Sequence, residues 1–577
     1  MALELPRLGV FVILFFAGKL LSLLIYQLCW SNGLTRRFDT AGALMTFLRK
    51  PVPWLIHVPL LLSTAWGSWD DAPLLQVFVT TTMLVLATGA VGRFGAVDLC
   101  RFFVTDRIIV IALSAGVYFH PIFIYPALVS ACCLQYTISG WPLGPGYSNL
   151  LGFEFIRGSA CVLMVCVACS QLLIAVGLEP DQYESLTFAV VLGYQASTYL
   201  NNALAKAVLG DHWYSWITQN RVQCLVVNAY LRGWGSRIMS TETVIKLARL
   251  IGLFRVPFCA ITFAVEAGCV FALTRVEVCI TMLISLAGFH SIVFLLTGLL
   301  EWEYVVNHLT ICLLIPNSSL ANVFSPTHFI ALLFCAVVSF AWIGWLRLKI
   351  VSEFQTTGSA NRLGKLADAA DLLMAWWDSP YMRMFSFTAI TSSGREVTWS
   401  VSQMSPYDTA LTDIHTHIML LGQHQDLDPR VASDRDIAAS GVWGLITSTD
   451  QRDRLYQMMD EASPDVDPLR TSNTAIRWRC DSNGTGPTVA MPLWHYVECT
   501  NRYLRYRWFQ LMMRWPHFPG EDMVPDVCPL VAPPLPPYRF DEPVVQVTLS
   551  RIKTFYTGDQ IVLVDHSTVG TFHFDPH

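Results

Sequence analysis

The chain has 577 residues, 53% of them hydrophobic and 14% charged, with 33 Phe and 19 Trp, a balance too apolar for an ordinary soluble protein of this length. A formal net charge of -5 without a long basic run excludes the electrostatic footprint of a nucleic-acid binder. Of the 16 cysteines, many (Cys132, Cys133, Cys161, Cys166, Cys169 and Cys335 among them) sit inside apolar runs and act as small hydrophobes; Cys480, Cys499 and Cys528 fall in the polar C-terminal part with no spacing that suits zinc.

A membrane-crossing helix needs roughly 20 predominantly apolar residues, and in lipid only a helix satisfies its own backbone. In chain order the candidates are Leu8–Trp30, Val52–Trp69, Leu74–Val91, Ile108–Ile138 with a break at His120-Pro121, Ala160–Leu178, Leu186–Leu209, Val256–Leu273, Val278–Leu300 and Phe329–Leu346. The first is longer than a signal-peptide core and lacks a small-residue cleavage site, so it reads as a retained span. Val305–Ile315 is too short to cross alone and either continues the preceding helix or re-enters. Residues 1–350 are therefore expected to form an α-helical polytopic membrane bundle of about eight to nine spans.

Arg36, Arg37, Arg49 and Lys50 outweigh Arg7, which favours a cytoplasmic first loop. Nine spans would then put the C-terminal part in the cytoplasm too, flanked by Arg347 and Lys349, whereas the sequon Asn483-Gly484-Thr485 matters only in a lumen. Residues 351–577 are polar and read as a separate soluble domain, α+β or sandwich-like. Phe385–Ile390 and Glu396–Val401 are expected as strands around Ser392-Ser393-Gly394, and Val544–Thr554 with Gln560–Phe574 as a hairpin around Thr557-Gly558-Asp559. Pro492–Trp515 reads as helical, and Pro529–Pro537 as a Pro-rich linker.

Ionisable groups within apolar spans are costly and mark candidate sites. Lys206 lies four residues after Asn202, so the two share a helix face, and a desolvated lysine there could act as a base near neutral pH. Placed near the end of its span, the same lysine could instead snorkel to the interface. The stretch from His212 to Trp234 is too polar to cross and reads as interfacial helix with an anchoring role. His290, Glu301 and His308, at offsets of 11 and 18, fall on one face of an unbroken helix but spread over roughly 27 Å, so they converge only if the helix breaks. Glu266 and Lys19 are opposite charges that could pair across helices. In the polar part, His415 and His417 form an H-x-H pair that reads better as surface histidines than as a metal site. No phosphate loop, GxSxG elbow or HExxH is present.

Tyr199-Leu200-Asn201-Asn202-Ala203-Leu204-Ala205-Lys206, followed by Gly210-Asp211-His212-Trp213, resembles a segment of HTTM domains, the transmembrane domain of vitamin K-dependent gamma-carboxylase. Phe289-His290-Ser291-Ile292 with Thr297-Gly298-Leu299 is similar to a later helix of that domain, and the order of segments extends the resemblance over about residues 5–350. The resemblance implies that Lys206 is a base toward a quinone-like substrate in its hydroquinone form, such as reduced vitamin K, with Asn202 and His290 beside it. Leu150 stands where the family's assisting histidine would fall, and the soluble part is shorter than the carboxylase's lumenal part, so the full carboxylase apparatus is not implied. His120 or His212 would be the substitutes at hand.

Two functions from different classes follow. One is a membrane-embedded enzyme using Lys206 as general base on a lipid-soluble, quinone-like substrate. The other is a non-catalytic scaffold or lipid-binding protein whose soluble domain engages a protein partner. A transporter ranks behind both, since no pair of matched halves is visible. The expected partners are the bilayer, a lipid-soluble small molecule and a protein at the soluble domain.

Overall fold

The computed structural model describes residues 4–31, 51–70, 72–91, 103–139, 148–175, 179–207, 212–298, 301–357, 377–378, 380–398, 419–420, 493–507 and 528–574. The helices are α1 (Glu4–Ser31), α2 (Pro51–Ala65), α3 (Pro73–Val91), α4 (Phe103–Gly116), α5 (Ile124–Ser139), α6 (Ser148–Ala175) and α7 (Pro180–Ala207). They continue with α8 (Ser215–Gln219), α9 (Gln223–Leu231), α10 (Thr241–Leu253), α11 (Arg255–Gly268), α12 (Val276–Thr297), α13 (Trp302–Leu314), α14 (Pro326–Thr357) and, in the polar part, α15 (Leu493–Leu504).

Five stretches of these helices are long and apolar enough to cross a membrane: Arg7–Ile25, Pro73–Val91, Phe155–Ile174, Arg255–Leu273 and Val276–Thr297. α1 packs against α6 and α7 at close range because glycines face it or sit on it. A Cβ on Gly18 would lie 2.5 Å from Cγ2 of Val162, and one on Gly193 would lie 2.6 Å from the Phe11 ring. Without a hydrophobic drive between helices in lipid, such small-residue contacts are what permit dense packing.

The run expected as one long span over 108–138 does break at His120-Pro121, but its halves fold back as a hairpin, α4 and α5, both packed on α3. His120 Nδ1 accepts a hydrogen bond from the Ile122 N–H at 3.1 Å and caps the short turn Pro121–Phe123. Trp69 Nε1 donates to the Val117 carbonyl at 2.9 Å, fixing that turn beside the start of α3. Most of Val305–Ile315 belongs to a separate short helix, α13, whose C-cap is Ile315.

The polar part holds a four-stranded antiparallel sheet in the order β3-β2-β5-β6, with β2 (Tyr381–Thr391), β3 (Glu396–Thr398), β5 (Val544–Tyr556) and β6 (Ile561–His573), and a two-residue ladder between β1 (Trp377–Asp378) and β4 (Met419–Leu420). Both hairpins expected from the sequence are present, and their turns carry Gly394 and Gly558 at positive φ. α15 joins the sheet through Asn501, whose side chain donates to the Val544 carbonyl at 2.7 Å and accepts from its N–H at 2.9 Å. Among the described residues this is α+β; no second full sheet makes a sandwich.

The long hairpin buries opposite faces at its two ends: Val547 and Leu549 near one end, Ile552, Thr554 and Tyr556 near the other. The second set packs with Met382 and Cys528 against Cys224, Val227 and Tyr230 of α9 and Val244, Ala248 and Ile251 of α10. Asn220 clamps β1 on both sides, donating to Oδ2 of Asp378 at 2.8 Å and accepting from its N–H at 2.9 Å. Arg249 adds an ion pair to Asp559 at 2.9 Å, and Arg237 reaches the Leu535 carbonyl at 3.3 Å. The sheet is thus seated on the 212–255 segment.

Candidate functional site

Tyr199 and Lys206 are seven residues apart on α7, two turns along one face. That face meets α11 and α12. Nζ of Lys206 lies 2.5 Å from both carboxylate oxygens of Glu266, and the two side chains are 9% and 6% exposed. The Trp216 ring, from α8, covers the ammonium with its centroid 5.0 Å from Nζ. Lys206 therefore turns into the protein, and its acidic partner is Glu266. The expected partner of Glu266, Lys19, lies instead over the rings of Phe15 and Tyr194, at 5.4 and 5.6 Å. Asn202 is half-buried on α7 one turn before Lys206.

The second half of the cluster comes from the break between α12 and α13. Gly298 closes α12 with φ 74°, its N–H bonded to the Phe294 carbonyl at 2.8 Å. A side chain there would also collide with Trp234, since a Cβ would lie 2.6 Å from the indole. Trp234 is held in place by its Nε1 bond to the Leu295 carbonyl at 3.1 Å. Only glycine meets both demands, and the turn brings His290, Glu301 and His308 together as an unbroken helix could not. The Tyr199 hydroxyl is 2.8 Å from Nε2 of His290 and 3.5 Å from Nε2 of His308. Oε2 of Glu301 sits 2.5 Å from Nδ1 of His290. Tyr304 stacks on the His290 ring at 4.4 Å and on Phe155 at 4.3 Å.

Several polar atoms here have no partner within the described protein: both side-chain atoms of Asn307 and Nδ1 of His308, all buried. Buried polar atoms are nearly always paired, so such orphans mark places where a small polar group from outside fits. Around Tyr199 the site gathers two imidazoles, the Glu301 carboxylate and the Tyr304 phenol, and two turns along the same face of α7 lies the buried Lys206–Glu266 pair.

Of the residues singled out in the sequence, Lys206 and His290 are both buried here, Lys206 against Glu266 and His290 against the hydroxyl of Tyr199 on the same helix as Lys206. Glu301 and His308 join them through the break. Tyr199, Tyr304 and Trp216 were not anticipated as site residues; the seven-residue spacing of Tyr199 and Lys206, and a glycine ending the α12 run, are the signals that point to them. The proposed substitutes for the assisting histidine are engaged elsewhere, His120 in capping its turn and His212 in stacking on Tyr214 at 5.1 Å at the exposed edge. His415, His417, Cys480 and Asn483 lie outside the described residues, as do the side chains of Asn149 and Leu150. Among the described residues no three His, Cys, Asp or Glu are placed to hold a metal ion. Compared with known protein families, curated proteins and solved structures, the chain matches none.

Proposed function

We propose that this is a membrane-embedded enzyme of HTTM type, in which Lys206 acts as base on a lipid-soluble substrate of quinone class, reduced vitamin K or a similar hydroquinone. The observation that carries the reading is the buried Lys206–Glu266 pair beside the Tyr199–His290–Glu301 group. A buried ion pair is a poor device for stability, because desolvation offsets its attraction, so its presence in an apolar bundle asks for another use. When Glu266 holds the shared proton, Lys206 is a neutral amine. A quinol O–H bond can then break with its proton passing to Nζ and its electron pair remaining on the quinolate oxygen. Tyr199, shared between His290 and His308, lies two turns from Lys206 on the same face of α7. Asn202 would orient the substrate or the amine from the same helix face.

Beyond the five long apolar stretches, α7 with 28 residues and α14 with 32 have the length to cross as well. The shorter α2, the α4–α5 hairpin and α13 decide whether the crossings number the eight to nine read from the sequence or more. With six basic residues and one acidic residue between His212 and Arg255, the side bearing the sheet is the cytoplasmic one.

The test uses the full chain in phosphatidylcholine nanodiscs and a naphthohydroquinone, with formation of its anion followed by absorbance. The expected result is binding and deprotonation by the native protein and their loss in Lys206→Ala, with the variant still inserted and folded. Equal signal in the Lys206→Ala protein would sink the reading and leave the scaffold function in its place.

A further inference from the structure

Tyr199, His290 and His308 come from three different helices, α7, α12 and α13, and their rings form a nearly equilateral triangle. Ring centroids are 6.1 Å apart for Tyr199 and His290, 5.7 Å for Tyr199 and His308, and 6.2 Å for the two histidines. Both imidazoles turn Nε2 toward the phenol oxygen, at 2.8 and 3.5 Å. Donors that share one tetrahedral metal ion, each about 2.0–2.1 Å from it, lie about 3.3 Å from one another, and these two separations bracket that value. Two histidines alone do not make a metal site. Here a phenol stands where the third donor belongs, as tyrosine does for some haem irons.

Glu301 completes the pattern. Its Oε2 is 2.5 Å from Nδ1 of His290, where two bare lone pairs would repel, so a proton lies between them. With the carboxylate holding that proton on Nδ1, the lone pair of Nε2 faces Tyr199. A carboxylate behind a histidine in this manner fixes the ring and raises its basicity toward a metal. Nδ1 of His308 has no partner within the described protein, so this imidazole can carry its proton there and bind through Nε2.

Charge favours the same occupant. A divalent ion takes the place of the Tyr199 hydroxyl proton, which is released while the O–H electron pair stays on the oxygen and forms the bond to the metal. Its two positive charges are then matched by the phenolate and by Glu301. The assembly is neutral, as burial among Phe155, Phe289 and Tyr304 requires.

We propose that Tyr199, His290 and His308 are the protein ligands of one transition-metal ion such as zinc, with Glu301 behind His290 and a fourth position open to water or substrate. Three protein ligands and an open position are the pattern of a catalytic rather than a structural metal. The site stands independently of Lys206 as a base.

The test uses the full chain in phosphatidylcholine nanodiscs, loaded with zinc and freed of excess by gel filtration, with the bound metal counted by mass spectrometry. The expected result is one equivalent more zinc in the native chain than in Tyr199→Phe, which keeps the ring packing and removes the donor oxygen. Glu301→Gln should weaken binding about 10–100-fold. Lys206→Ala should hold as much zinc as the native chain, so the metal site and the base stand or fall separately. Should Tyr199→Phe fail to fold, copper(II) in the native chain decides, because a phenolate ligand adds a visible charge-transfer band. Equal zinc in the native and Tyr199→Phe chains, as surface histidines alone would give, overturns the proposal; so does a copper-loaded native chain without that band.

Discussion

The bundle and the sheet carry the same kinds of charged side chain but put them in opposite places. In the bundle, Lys206, Glu266, His290 and Glu301 lie inside an apolar shell, where water cannot replace a lost partner. In the sheet, Arg395 pairs with Asp541 at 2.6 Å, and Ser393 bonds Glu542, along a solvent-facing edge where water readily can. The Ser393 hydroxyl, then Thr391 and Arg395, hold the Glu542 carboxyl below its ordinary range, and the Asp541 bond holds Arg395 above its own. Geometry alike in distance thus differs in energetic consequence, and the difference can be measured.

The largest effect is expected inside the bundle. Removing one member of the pair, as in Lys206→Ala, should cost about 3–5 kcal/mol, because Glu266 is left buried without its partner. The double replacement Lys206→Met/Glu266→Leu should recover most of that loss, seen as a restored Tm in nanodiscs. A double variant as unstable as the single one would show that the pair is needed for folding itself.

Next in size is the clamp between the two regions. Asn220→Ala removes both hydrogen bonds to Asp378 and should destabilise seating of the sheet by about 1–3 kcal/mol. Hydrogen exchange would register this as faster exchange in β1 and β5 with the bundle helices unchanged; uniform loss of protection throughout would contradict a local clamp.

A smaller effect is expected at Cys528, which is 1% exposed in the core between sheet and bundle. Burial pushes its thiol up to about 11 from the ordinary 9.0, so the folded state favours the protonated form. The sign follows directly: this contribution is fully present below pH 9.0 and is lost as the pH rises toward about 11. Alkylation at pH 8 should be slow in the folded protein and rapid once it is denatured, and equal rates would place the thiol at the surface.

The smallest is Arg395→Ala, worth about 1 kcal/mol, since the pair is half-buried at the edge of the sheet and reached by salt. A change in Tm beyond a few degrees would mean that the edge pair is as consequential as the buried one and would erase the contrast between the regions.

Much of the architecture is legible in local sequence. Apolar runs of sufficient length locate the long helices, because the hydrophobic requirement acts on each segment separately. The β5–β6 hairpin is visible from alternating strand residues around Thr557-Gly558-Asp559 for the same reason. Lys206 stands out because a lysine in an apolar run is costly wherever the run packs. The reading went astray where a partner lies far along the chain. Glu266 is 60 residues from Lys206, and nothing local prefers it over Lys19. Likewise, the α4–α5 run looks like one broken span until α3 is there to receive both halves.

What the amino-acid order determines by itself is therefore the membrane character, the positions of the helices and hairpins, and the presence of ionisable groups within apolar segments. Tertiary structure alone decides which of those groups meet. It folds the chain at Gly298, where a left-handed residue and the closeness of Trp234 admit no side chain, and so converts a polar stripe into a cluster of His290, Glu301 and His308 around Tyr199. It also sets the sheet on α9 and α10 through Asn220 and Arg249. The physical reason is common to both: the energy of a buried charge or hydrogen bond depends on what surrounds it, and the surroundings come from segments distant in sequence.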